Sequence, residues 1–582
     1  MRLKEILRGA PVVEIVGDEE IDVGQVRDDS RRVQPGDLFV ARRGLTVDGH
    51  LYVTEADRRG AVACVLERDV PFGGVKVITR DAGRALAVLA ANRYRNPGLQ
   101  MTLIGITGTN GKTTTTYLVE SILRAAGHRP GVIGTINYRY GDVVKHAPYT
   151  TPTPVELHRV LREMADAGTT HVVMETSSHA LALGRLYGLR FRVGAFTNLT
   201  QDHLDLHGSM EAYFAAKARL FAELIRPGDG VAVAMVDTLE GDRLLDLWPG
   251  ARLRCSIVGA GEVFAGRARW SIGGIEARMH TPRGSFDVKS PLLGEFNLAN
   301  ITLATGIAAG LGLGLDAIAA GVAALPGVPG RLERLDSRGQ PVAVVVDYAH
   351  TPDALGRALG ALRSLAAARL TVVFGCGGDR DRKKRPLMGQ VAARGADVVV
   401  VTSDNPRTEV PQTIVDQIVA GVEREPLDRM ALTALGNVGK GYAVEVDRRT
   451  AIAAAIRAAR AGDIVLIAGK GHEDYQILGK QKIHFDDREE ASRVLSGLAA
   501  FIADGPIVEA GPQAVPTPIA AVAPAGPAGA MTALPAGSVA NPPGDPDADA
   551  VVVEAAVPVD DDEPATSPGP PRGGEPGTPG TP

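Results

Sequence analysis

A glycine-rich turn directly after an apolar run constrains this chain more than any other feature. Residues 107–116 read TGTNGKTTTT and follow the apolar run 102–106. In such a turn the glycines let backbone N–H groups approach phosphate oxygens, the lysine adds a positive charge, and a hydroxyl can bind Mg²⁺. We therefore predict a phosphate-binding loop that leads into a helix over residues 117–126. The residues predicted to contact the nucleotide are Gly108, Thr109, Asn110, Gly111, Lys112, Thr113 and Thr114.

One position departs from the strict Walker A pattern. Ile106 stands where that pattern has a glycine five residues before Gly111. The alternative interpretation of the segment is a Gly/Thr-rich turn that caps a helix.

Charge is divided unevenly along the 582 residues. The net charge is −5, but residues 505–582 contain ten acidic residues and one arginine, so the remainder is mildly basic. No Lys/Arg block indicates nucleic acid, no apolar run could span a membrane, and no signal peptide is evident. Three widely separated cysteines predict neither a disulfide nor a zinc site. We expect a soluble cytoplasmic protein that binds small anionic substrates.

Apolar runs alternate with helical patterns in three successive segments, which predicts an α/β chain. Residues 1–98 mix short strands with a helix over 83–94. Residues 99–332 hold the phosphate loop, and their alternation predicts a parallel sheet flanked by helices. Residues 333–504 open on the apolar run 342–346 and form a second α/β unit. Residues 505–582 contain 18 of the 38 prolines and no periodic pattern, so we predict a disordered tail.

Three polar side chains of the second segment gain meaning beside the phosphate loop. Glu175 follows a predicted strand and is a natural Mg²⁺ ligand. His203 lies in an Asp/His-rich stretch that suggests a transition-metal site when taken alone. Because no cysteine is nearby and a nucleotide loop lies upstream, we favour a role for His203 beside a nucleotide-bound Mg²⁺. The alternative is a surface loop with incidental histidines. From spacing alone, Lys217 is a solvated lysine on a helix.

Two stretches of the third segment follow predicted strands. Residues 347–353 read DYAHTPD, which suits a loop that faces a ligand. Residues 375–386 read GCGGDRDRKKRP, a glycine-rich turn followed by dense charge. The latter is either an exposed charged loop or an anion site, and the glycines directly after a strand favour the anion site.

These motifs together resemble the Mur ligases, the ATP-dependent enzymes that build the peptide of bacterial cell-wall precursors. The matching stretches are the phosphate loop, residues 175–179, 198–207, 294–300, 329–331 and 347–353. The resemblance implies an N-terminal domain for the UDP group, a central P-loop ATPase-like domain and a C-terminal Rossmann-like domain. These domains would occupy residues 1–98, 99–332 and 333–504, followed by the tail.

The resemblance also implies roles for individual residues. Lys217 corresponds to a lysine that becomes carbamylated and helps to hold Mg²⁺. Catalytic roles fall to Lys112, Glu175, His203 and Lys217, and metal contacts to Thr113, Glu175, His203 and Lys217. The ATP site would be completed by Asn300, Arg331, Asp347 and His350. The UDP-substrate would contact Asp28, Ser30, Leu45, Thr46, Val47, Tyr149, Thr150, Thr151, Ser177 and Arg185. Leu183 stands where the family usually has glutamine, which removes one expected substrate hydrogen bond.

Two further stretches, DNPR at 404–407 and GKGHEDYQ at 469–476, narrow the likeness to family members that add diaminopimelate. The implied substrates are ATP with Mg²⁺, UDP-N-acetylmuramoyl-L-alanyl-D-glutamate and meso-diaminopimelate. The dipeptide's side-chain carboxylate would be activated as an acyl phosphate. The amino acid would contact Arg385, Asp404, Asn405, Pro406, Arg407, Gly469 and Glu473.

Three alternatives remain at this point. Lysine could replace diaminopimelate, but it lacks the distal carboxylate that Arg407 could bind in a bidentate manner. A folylpolyglutamate synthase-like ligase would share the ATP core. An inactive relative could act as a scaffold through its acidic tail, whose partners the sequence does not indicate. We expect a monomer.

Overall fold

Three sheets with flanking helices contain most of the strands. The structure is a computed structural model that describes residues 1–44, 47–335, 342–497 and 508–509. The first sheet has the order β1-β5-β4-β3-β2, in which β1 is antiparallel to β5 and the other pairs are parallel. Its strands are β1 (Val12–Val16), β2 (Val26–Arg27), β3 (Leu38–Val40), β4 (Ala63–Leu66) and β5 (Val75–Thr79). The accompanying helices are α1 (Leu3–Ile6), α2 (Val53–Arg58) and α3 (Ala82–Arg93).

The second sheet is the largest and carries the phosphate loop. Its strands are β6 (Thr102–Thr107), β7 (Pro130–Ile133), β8 (Asn137–Tyr140), β9 (Val143–His146), β10 (His171–Glu175), β11 (Val193–Phe196), β12 (Val231–Met235), β13 (Ala251–Ser256), β14 (Val263–Ser271), β15 (Gly274–Thr281) and β16 (Gly284–Ser290). The helices are α4 (Lys112–Ala125), α5 (Pro154–Asp166), α6 (Ser178–Ala182), α7 (Leu204–His207), α8 (Met210–Arg219), α9 (Leu239–Leu245), α10 (Glu295–Gly310) and α11 (Leu315–Ala324). A π-helical turn, Leu220–Leu224, continues α8.

The strand order of this sheet brings three functional loops together. The order is β16-β15-β14-β13-β12-β11-β6-β10-β7-β8-β9, and β11, β6 and β10 are parallel neighbours at its centre. The loops that follow these three strands therefore leave the same edge of the sheet, where open α/β sheets bind ligands. Helix α4 packs behind β6, and Ile104, Leu118 and Ile122 are fully buried in this core.

The third sheet has the order β17-β18-β22-β19-β20-β21 and is parallel except for β17. Its strands are β17 (Glu333–Leu335), β18 (Ala343–Asp347), β19 (Leu370–Phe374), β20 (Val398–Val401), β21 (Gly441–Val444) and β22 (Ile464–Ala468), and β23 (Tyr475–Leu478) and β24 (Gln481–His484) form a separate hairpin. The helices are α12 (Pro352–Arg363), α13 (Lys384–Gly395), α14 (Pro411–Val422), α15 (Arg448–Ala458) and α16 (Asp487–Ser496). In the described part of the chain, 3₁₀ turns cover Ser30–Arg32, Gly49–Tyr52, Pro97–Gln100 and Leu432–Ala434.

The α/β class and the alternation of strands and helices are confirmed, but two local predictions are wrong. Helix α4 begins at Lys112, five residues before the predicted start, because Gly111 adopts a left-handed φ of 88° and the four threonines form the buried first turns. The central sheet is parallel only in its middle. Antiparallel strands flank it on both sides, β8 and β9 at one edge and β14 to β16 at the other.

Contacts group residues 1–43 and 49–515 into one unit. A second unit comprises residues 44–48 and 516–582, within which the Gly44 N–H donates to the carbonyl oxygen of Val47 at 2.8 Å. The domain boundaries at residues 98, 332 and 504 stay predictions. Of the predicted tail, only β25 (Val508–Glu509), paired with β14, lies within the described residues. Across the described ranges, no helix is both long enough and apolar enough to span a bilayer.

Candidate active site

The side chains of Lys112, Thr197 and Asn300 pack against the glycines of the phosphate loop. Lys112 is the first residue of α4 and is half-buried. Its Nζ donates to the carbonyl oxygens of Gly108 at 3.0 Å and Thr109 at 2.8 Å. A Cβ on Gly108 would lie 1.8 Å from Thr197 Oγ1, and one on Gly111 would lie 2.3 Å from Asn300 Oδ1. The close approach of these side chains therefore requires glycine at both positions.

The loop after β11 braces the phosphate loop. The Thr109 N–H donates to the carbonyl oxygen of Asn198 at 2.9 Å, and the Asn110 N–H donates to Asn198 Oδ1 at 3.0 Å. The Thr109 hydroxyl donates to the carbonyl oxygen of Thr200 at 3.2 Å. Thr114, on the first turn of α4, is buried. This bracing holds the N–H groups of the turn in place before any ligand arrives, which reduces the ordering that binding requires.

Glu175 ends β10 and joins the phosphate loop to the loop after β7. Its carboxylate accepts hydrogen bonds from Thr113 Oγ1 at 3.0 Å, from the Thr135 N–H at 2.9 Å and from Thr135 Oγ1 at 3.0 Å. Only 1% of its surface is exposed. A hydroxyl and a carboxylate in contact beside a phosphate loop form the donor set that Mg²⁺ uses when the nucleotide supplies further oxygens.

Lys217 is buried beside the phosphate loop. It is 1% exposed, and its Nζ donates to the carbonyl oxygen of Gly108 at 2.7 Å and lies 4.2 Å from the centre of the Tyr213 ring. Burial, aided by the charge of Lys112, holds the pKa of Lys217 well below its ordinary value. The interpretation from spacing, a solvated lysine, is therefore wrong.

His203 has a different environment from the other predicted catalytic residues. It has a left-handed φ of 53°, and its side chain is 45% exposed. Its Nε2 lies 3.5 Å from Asp202 Oδ2, and its ring stands edge-on to that of His179 at 4.8 Å between centroids. Within the described ranges it makes no hydrogen bond to Glu175 or Lys217, and no group of three His, Cys, Asp or Glu residues could hold a metal.

The side chains expected to complete the ATP site lie on α10 and on the segment that enters the third sheet. Asn300 Oδ1, on α10, accepts a hydrogen bond of 3.4 Å from Thr115 Oγ1, on α4. Helices α10 and α4 therefore meet next to the phosphate loop. The Arg331 guanidinium lies 5.1 Å from the Tyr348 ring centre. Asp347 accepts from the Leu332 N–H at 2.7 Å and from the Ala349 N–H at 2.8 Å. Burial raises the pKa of Asp347, so its two backbone donors bind a carboxylate that the core disfavours.

An aromatic cluster that the sequence interpretation missed surrounds Tyr348. The rings of His350 and His472 lie 4.5 and 4.9 Å from the Tyr348 ring. His350 Nδ1 lies 2.8 Å from the carbonyl oxygen of Tyr348, and burial lowers the pKa of His350. Burial likewise lowers the pKa of His472 to about 4, so both imidazoles are neutral at neutral pH. The sequence signal for His472 was its place in the loop that follows the apolar run of β22.

The residues expected to hold the UDP-substrate fall into two groups. In the first group, the Arg42 guanidinium lies 3.6 Å from the Asp28 carboxylate, and Ser30 donates to Glu55 at 3.0 Å. Val47 is 46% exposed. The predicted contacts Leu45 and Thr46 lie outside the described residues. Arg42 was not predicted, since an arginine after a strand carries no distinctive sequence signal.

The second group comes from the loop between β9 and α5 and from the segment that follows β10, next to Glu175. Thr151 Oγ1 donates to the carbonyl oxygen of Glu175 at 2.7 Å and accepts from the Ser177 N–H at 3.0 Å. Thr150 Oγ1 lies 3.1 Å from Thr135 Oγ1. Arg185 donates to the carbonyl oxygen of Thr151 at 3.0 Å, and its guanidinium lies 5.3 Å from the exposed Tyr149 ring. These contacts connect the predicted substrate residues directly to the Glu175 strand end.

The loops after β20 and β22 meet at the edge of the third sheet. Asn405 Oδ1 accepts from the Lys470 ammonium at 3.1 Å, and Asn405 Nδ2 donates to Glu473 at 3.0 Å. Lys470 Nζ also lies 3.2 Å from Asp404 Oδ1. Burial raises the pKa of Glu473. Burial also opposes ionisation of Asp404, but the nearby charges of Lys470, Arg448 and Arg407 together outweigh it and lower the pKa of Asp404. The result is a buried cluster with more carboxylates than amines.

Arg407 stands beside this cluster with donors to spare. It has a left-handed φ of 51°, and its Nη1 donates to the carbonyl oxygen of Gly378 at 2.8 Å. Among the described residues this is the one hydrogen bond of its side chain. The backbone of Pro406 packs closely against Gly378, because a Cβ at position 378 would lie 1.9 Å from the carbonyl oxygen of Pro406. Gly469, with a φ of 118°, completes this edge by donating to the carbonyl oxygen of Asp347 at 3.0 Å.

Arg385 has a partner that the sequence did not reveal. Its side chain is fully buried, its Nη1 donates to Glu409 at 2.9 Å and its Nη2 donates to the same carboxylate at 2.8 Å. Gln417 and the carbonyl oxygen of Gly377 accept the remaining Nη hydrogens. Only Nε lacks a partner among the described residues. The hydrogen bonds from Arg385 hold the pKa of Glu409 down to about 2.

A glycine-rich phosphate loop with an adjoining buried carboxylate, at the edge of a largely parallel sheet, defines a nucleotide-binding protein of α/β fold. Three protein-family models match the chain: the Mur ligase family catalytic domain at residues 23–94, the Mur ligase middle domain at 106–308, and the Mur ligase glutamate ligase domain at 330–471.

Individual relatives match over nearly their whole length. The UDP-N-acetylmuramoyl-L-alanyl-D-glutamate–2,6-diaminopimelate ligase of Geobacter metallireducens is 46% identical over 508 residues, which cover 86% of this chain and 99% of that protein. The enzyme of the same name from Geobacillus kaustophilus is 44% identical, covering 84% and 98%. The chain therefore belongs to the Mur ligase family, and it is an ATP-dependent amide-forming ligase.

Solved structures share the fold. A structure of UDP-N-acetylmuramoyl-L-alanyl-D-glutamate–2,6-diaminopimelate ligase is 33% identical, with a TM-score of 0.63, and covers 85% of this chain and 99% of that one. The MurF ligase of Thermotoga maritima in complex with ADP is 20% identical, with a TM-score of 0.52, over 81% and 97%. At that identity the second likeness concerns the fold alone.

Proposed function

We propose that this chain joins meso-diaminopimelate to UDP-N-acetylmuramoyl-L-alanyl-D-glutamate at the expense of ATP. The observation that carries the proposal is the meeting of the three loops after β11, β6 and β10, where Thr113 contacts Glu175 at 3.0 Å. The relatives that match most of the chain bear the name of this ligase. The carboxylate-rich loop cluster with Arg407 at its side supports the choice of amino acid.

ATP would bind with its phosphates on the turn between Gly108 and Thr114. The N-terminus of α4 and the Lys112 ammonium would face the β- and γ-phosphates. When Mg²⁺ is bound, it neutralises phosphate charge, and Thr113 and Glu175 are the residues suited to hold it. Arg331, Asn300, Asp347 and His350 would complete the nucleotide site from α10 and the third sheet.

Lys217 suits carbamylation because its buried amine favours the neutral form. A neutral amine attacks CO₂ and loses a proton, which gives a carbamate whose oxygens are anionic. In that form Lys217 would present a carboxylate-like group toward the phosphate loop, in place of an unfavourable buried cation. His203 would assist from the exposed side of the same pocket.

The reaction would proceed in two steps. An oxygen of the dipeptide's side-chain carboxylate attacks the γ-phosphorus, and ADP leaves, which yields an acyl phosphate. The amine of the incoming amino acid then attacks the acyl carbon, phosphate leaves, and the nitrogen loses a proton. Lys112 stabilises the charge that spreads over the transferring phosphoryl group, and the site positions the reactants for in-line attack.

The UDP-substrate would extend from the first sheet to Glu175. Asp28 and Ser30 would receive the uridine end, and Arg185 with Thr150, Thr151, Ser177 and Tyr149 would receive the peptide end. The contact of Thr151 with the Glu175 strand end, at 2.7 Å, supports this placement of the reacting carboxylate.

The distal end of diaminopimelate carries an ammonium and a carboxylate. Asp404, Asn405 and Glu473 would accept hydrogen bonds from the ammonium, and the Nε and Nη2 donors of Arg407 would bind the carboxylate. Pro406 and Gly469 would shape the backbone around them. Arg385, whose Nη donors are engaged by Glu409, has only Nε to offer the amino acid.

Because ATP and the UDP-dipeptide are both nucleotides, we expect the reaction to take place in the cytoplasm. We also expect the enzyme to be a monomer. The test is ADP release by the purified full-length chain, with each substrate left out in turn, followed by mass analysis of the product. We expect release only when ATP, Mg²⁺, the UDP-dipeptide and diaminopimelate are all present. The product mass should equal the sum of the masses of the UDP-dipeptide and diaminopimelate, less one water. ADP release without a new amide product would overturn the proposal.

A further inference from the structure

A fully buried ion pair lies behind the loops after β20 and β22. Arg448 Nε donates to Asp487 Oδ1 at 2.7 Å, and Arg448 Nη2 donates to Asp487 Oδ2 at 2.7 Å. Both side chains are 0% exposed. A buried pair of this kind adds little net stability over apolar packing of the same volume, so its presence in a core calls for another explanation.

The remaining donors of Arg448 reach the roots of both loops. Its Nη1 donates to the carbonyl oxygen of Ser403 at 3.2 Å, and its Nη2 donates to that of Ala468 at 3.0 Å. Ser403 directly precedes Asp404, and Ala468 ends β22 directly before Gly469. One guanidinium therefore fixes the starting points of two loops that lie 65 residues apart in the sequence, as measured between Asn405 and Lys470.

The two ends of the ion pair come from rigid positions. Arg448 is the first residue of α15 and Asp487 is the first residue of α16, and each helix is capped by the preceding aspartate. The planar fork of arginine can bind a carboxylate with two donors and still reach two carbonyl groups, whereas a lysine ammonium offers three donors at a single point. The arrangement therefore depends on arginine at position 448.

We propose that Arg448 and Asp487 are positioning residues that set the spacing between the two amino-acid loops, and through it the affinity for the incoming amino acid. The inference rests on the proposed function. Neither side chain touches the substrate. Loss of the pair would let the Asp404 and Gly469 loops separate, so that Arg407 and Glu473 no longer face the same distal centre.

The chain contains a matched control pair that lies beside the same sheet. Arg369 donates to Asp463 from Nε at 3.1 Å and from Nη2 at 2.6 Å, and it also binds the carbonyl oxygens of Leu435 and Val438. The side chain of Arg369 is 15% exposed and that of Asp463 is 1% exposed. Arg369 precedes β19 and Asp463 precedes β22, so this pair lies at the opposite edge from the amino-acid loops.

The experiment compares Asp487→Asn and Arg448→Lys with Asp463→Asn and Arg369→Lys in the full-length enzyme. For each variant we would measure the thermal midpoint, kcat, and the KM of diaminopimelate, ATP and the UDP-dipeptide. We expect all four to lower the midpoint. Asp487→Asn and Arg448→Lys should also raise the KM of diaminopimelate by roughly tenfold or more, since a displacement of about 1 Å is enough for such an effect. Their KM values for the other substrates, and all three KM values of the control variants, should stay within about twofold of wild type.

Two results would overturn the inference. One is an unchanged KM for diaminopimelate in Asp487→Asn, the conservative variant that carries the test if Arg448→Lys does not fold. The other is an equal rise of this KM in the Asp463→Asn control. Failure of the proposed function looks different, because wild-type enzyme would then not ligate diaminopimelate at all. In that case the same comparison is made with the amino acid that the wild type accepts.

Discussion

The Lys217 ammonium nitrogen lies 2.7 Å from the carbonyl oxygen of Gly108, so a buried lysine contacts the phosphate loop at the residue that Lys112 also binds. Two amines that share one carbonyl oxygen repel each other when both are charged, and burial adds to the cost for Lys217. Conversion of Lys217 to a carbamate would remove this conflict and supply an anionic group where Mg²⁺ is expected.

Lys217→Ala should therefore have almost no ligase activity, and formate or acetate should restore part of it by occupying the vacated space with a carboxylate. The measurement is ADP release with and without these anions. Lys289→Ala provides the control, because the side chain of Lys289 is 79% exposed on β16. Full activity of Lys217→Ala without any added anion would contradict the role assigned to this lysine.

Lys112→Ala should lower kcat by about a hundredfold or more, because it removes positive charge that stabilises the transferring phosphoryl group. Far-UV circular dichroism should remain that of the wild type, since α4 keeps its buried threonine face. Lys480→Ala, in the exposed turn between β23 and β24, is the matched control. Near-normal turnover by Lys112→Ala would mean that ATP binds elsewhere.

The pair formed by Arg385 and Glu409 predicts a specific pH dependence of stability. The folded-state pKa of Glu409 is about 2, below the ordinary value of 4.5 for glutamate, so the unfolded chain takes up its proton first. The stabilisation is complete above about pH 4.5 and is lost as the pH falls toward 2. The difference in unfolding free energy between wild type and Glu409→Gln should therefore shrink over this range. A difference that stays constant from pH 6 to pH 3 would count against the paired carboxylate.

Gly330 should tolerate no side chain. Its φ is +64°, and a Cβ there would lie 2.2 Å from the backbone carbon of Gly471 and from the nitrogen of His472. Gly330→Ala must move one backbone segment away from the other, which we expect to cost about 1–3 kcal/mol and to reduce activity. Gly327→Ala is the control, because a Cβ at Gly327 meets no atom within 4 Å. Denaturant unfolding of the two variants decides the matter, and equal stabilities would refute the close contact.

Local sequence signals were sufficient for the loops that follow strands. The phosphate turn, Glu175 and the stretch 404–407 all follow apolar runs, and the parallel order β11-β6-β10 then brings the first two together. The antiparallel edges did not follow from the alternation of strands and helices, because β14 and β15 are consecutive strands whose positions alternate between buried and exposed with a period of two residues.

Tertiary pairings were beyond the reach of the sequence. Arg385 and Glu409 are 24 residues apart, and nothing in the charge run 379–385 indicates which arginine is buried. The burial of Lys217 could not be predicted for the same reason, because the sequence of its helix shows only an ordinary lysine among alanines. The start of α4 was misplaced because threonine has a weak helix propensity, which burial of the helix face overrides.

Arg407→Ala should raise the KM for diaminopimelate far more than that for ATP or the UDP-dipeptide. Deletion of one partner of a desolvated charge pair costs roughly 2–5 kcal/mol in comparable interfaces. Arg380→Ala is a suitable control, as Arg380 is an exposed arginine in the neighbouring loop. Steady-state kinetics with each substrate varied in turn would separate the three KM values, and a uniform change in all of them would argue against a contact with the distal carboxylate.

The most direct test of the central claim is the comparison of meso-diaminopimelate with L-lysine as the amino-acid substrate of the wild-type enzyme. The measurement is kcat/KM from ADP release at saturating ATP and UDP-dipeptide. We predict efficient ligation of diaminopimelate and poor ligation of lysine, because lysine leaves the Arg407 guanidinium without its carboxylate. Equal kcat/KM values for the two amino acids would contradict the assignment of the substrate.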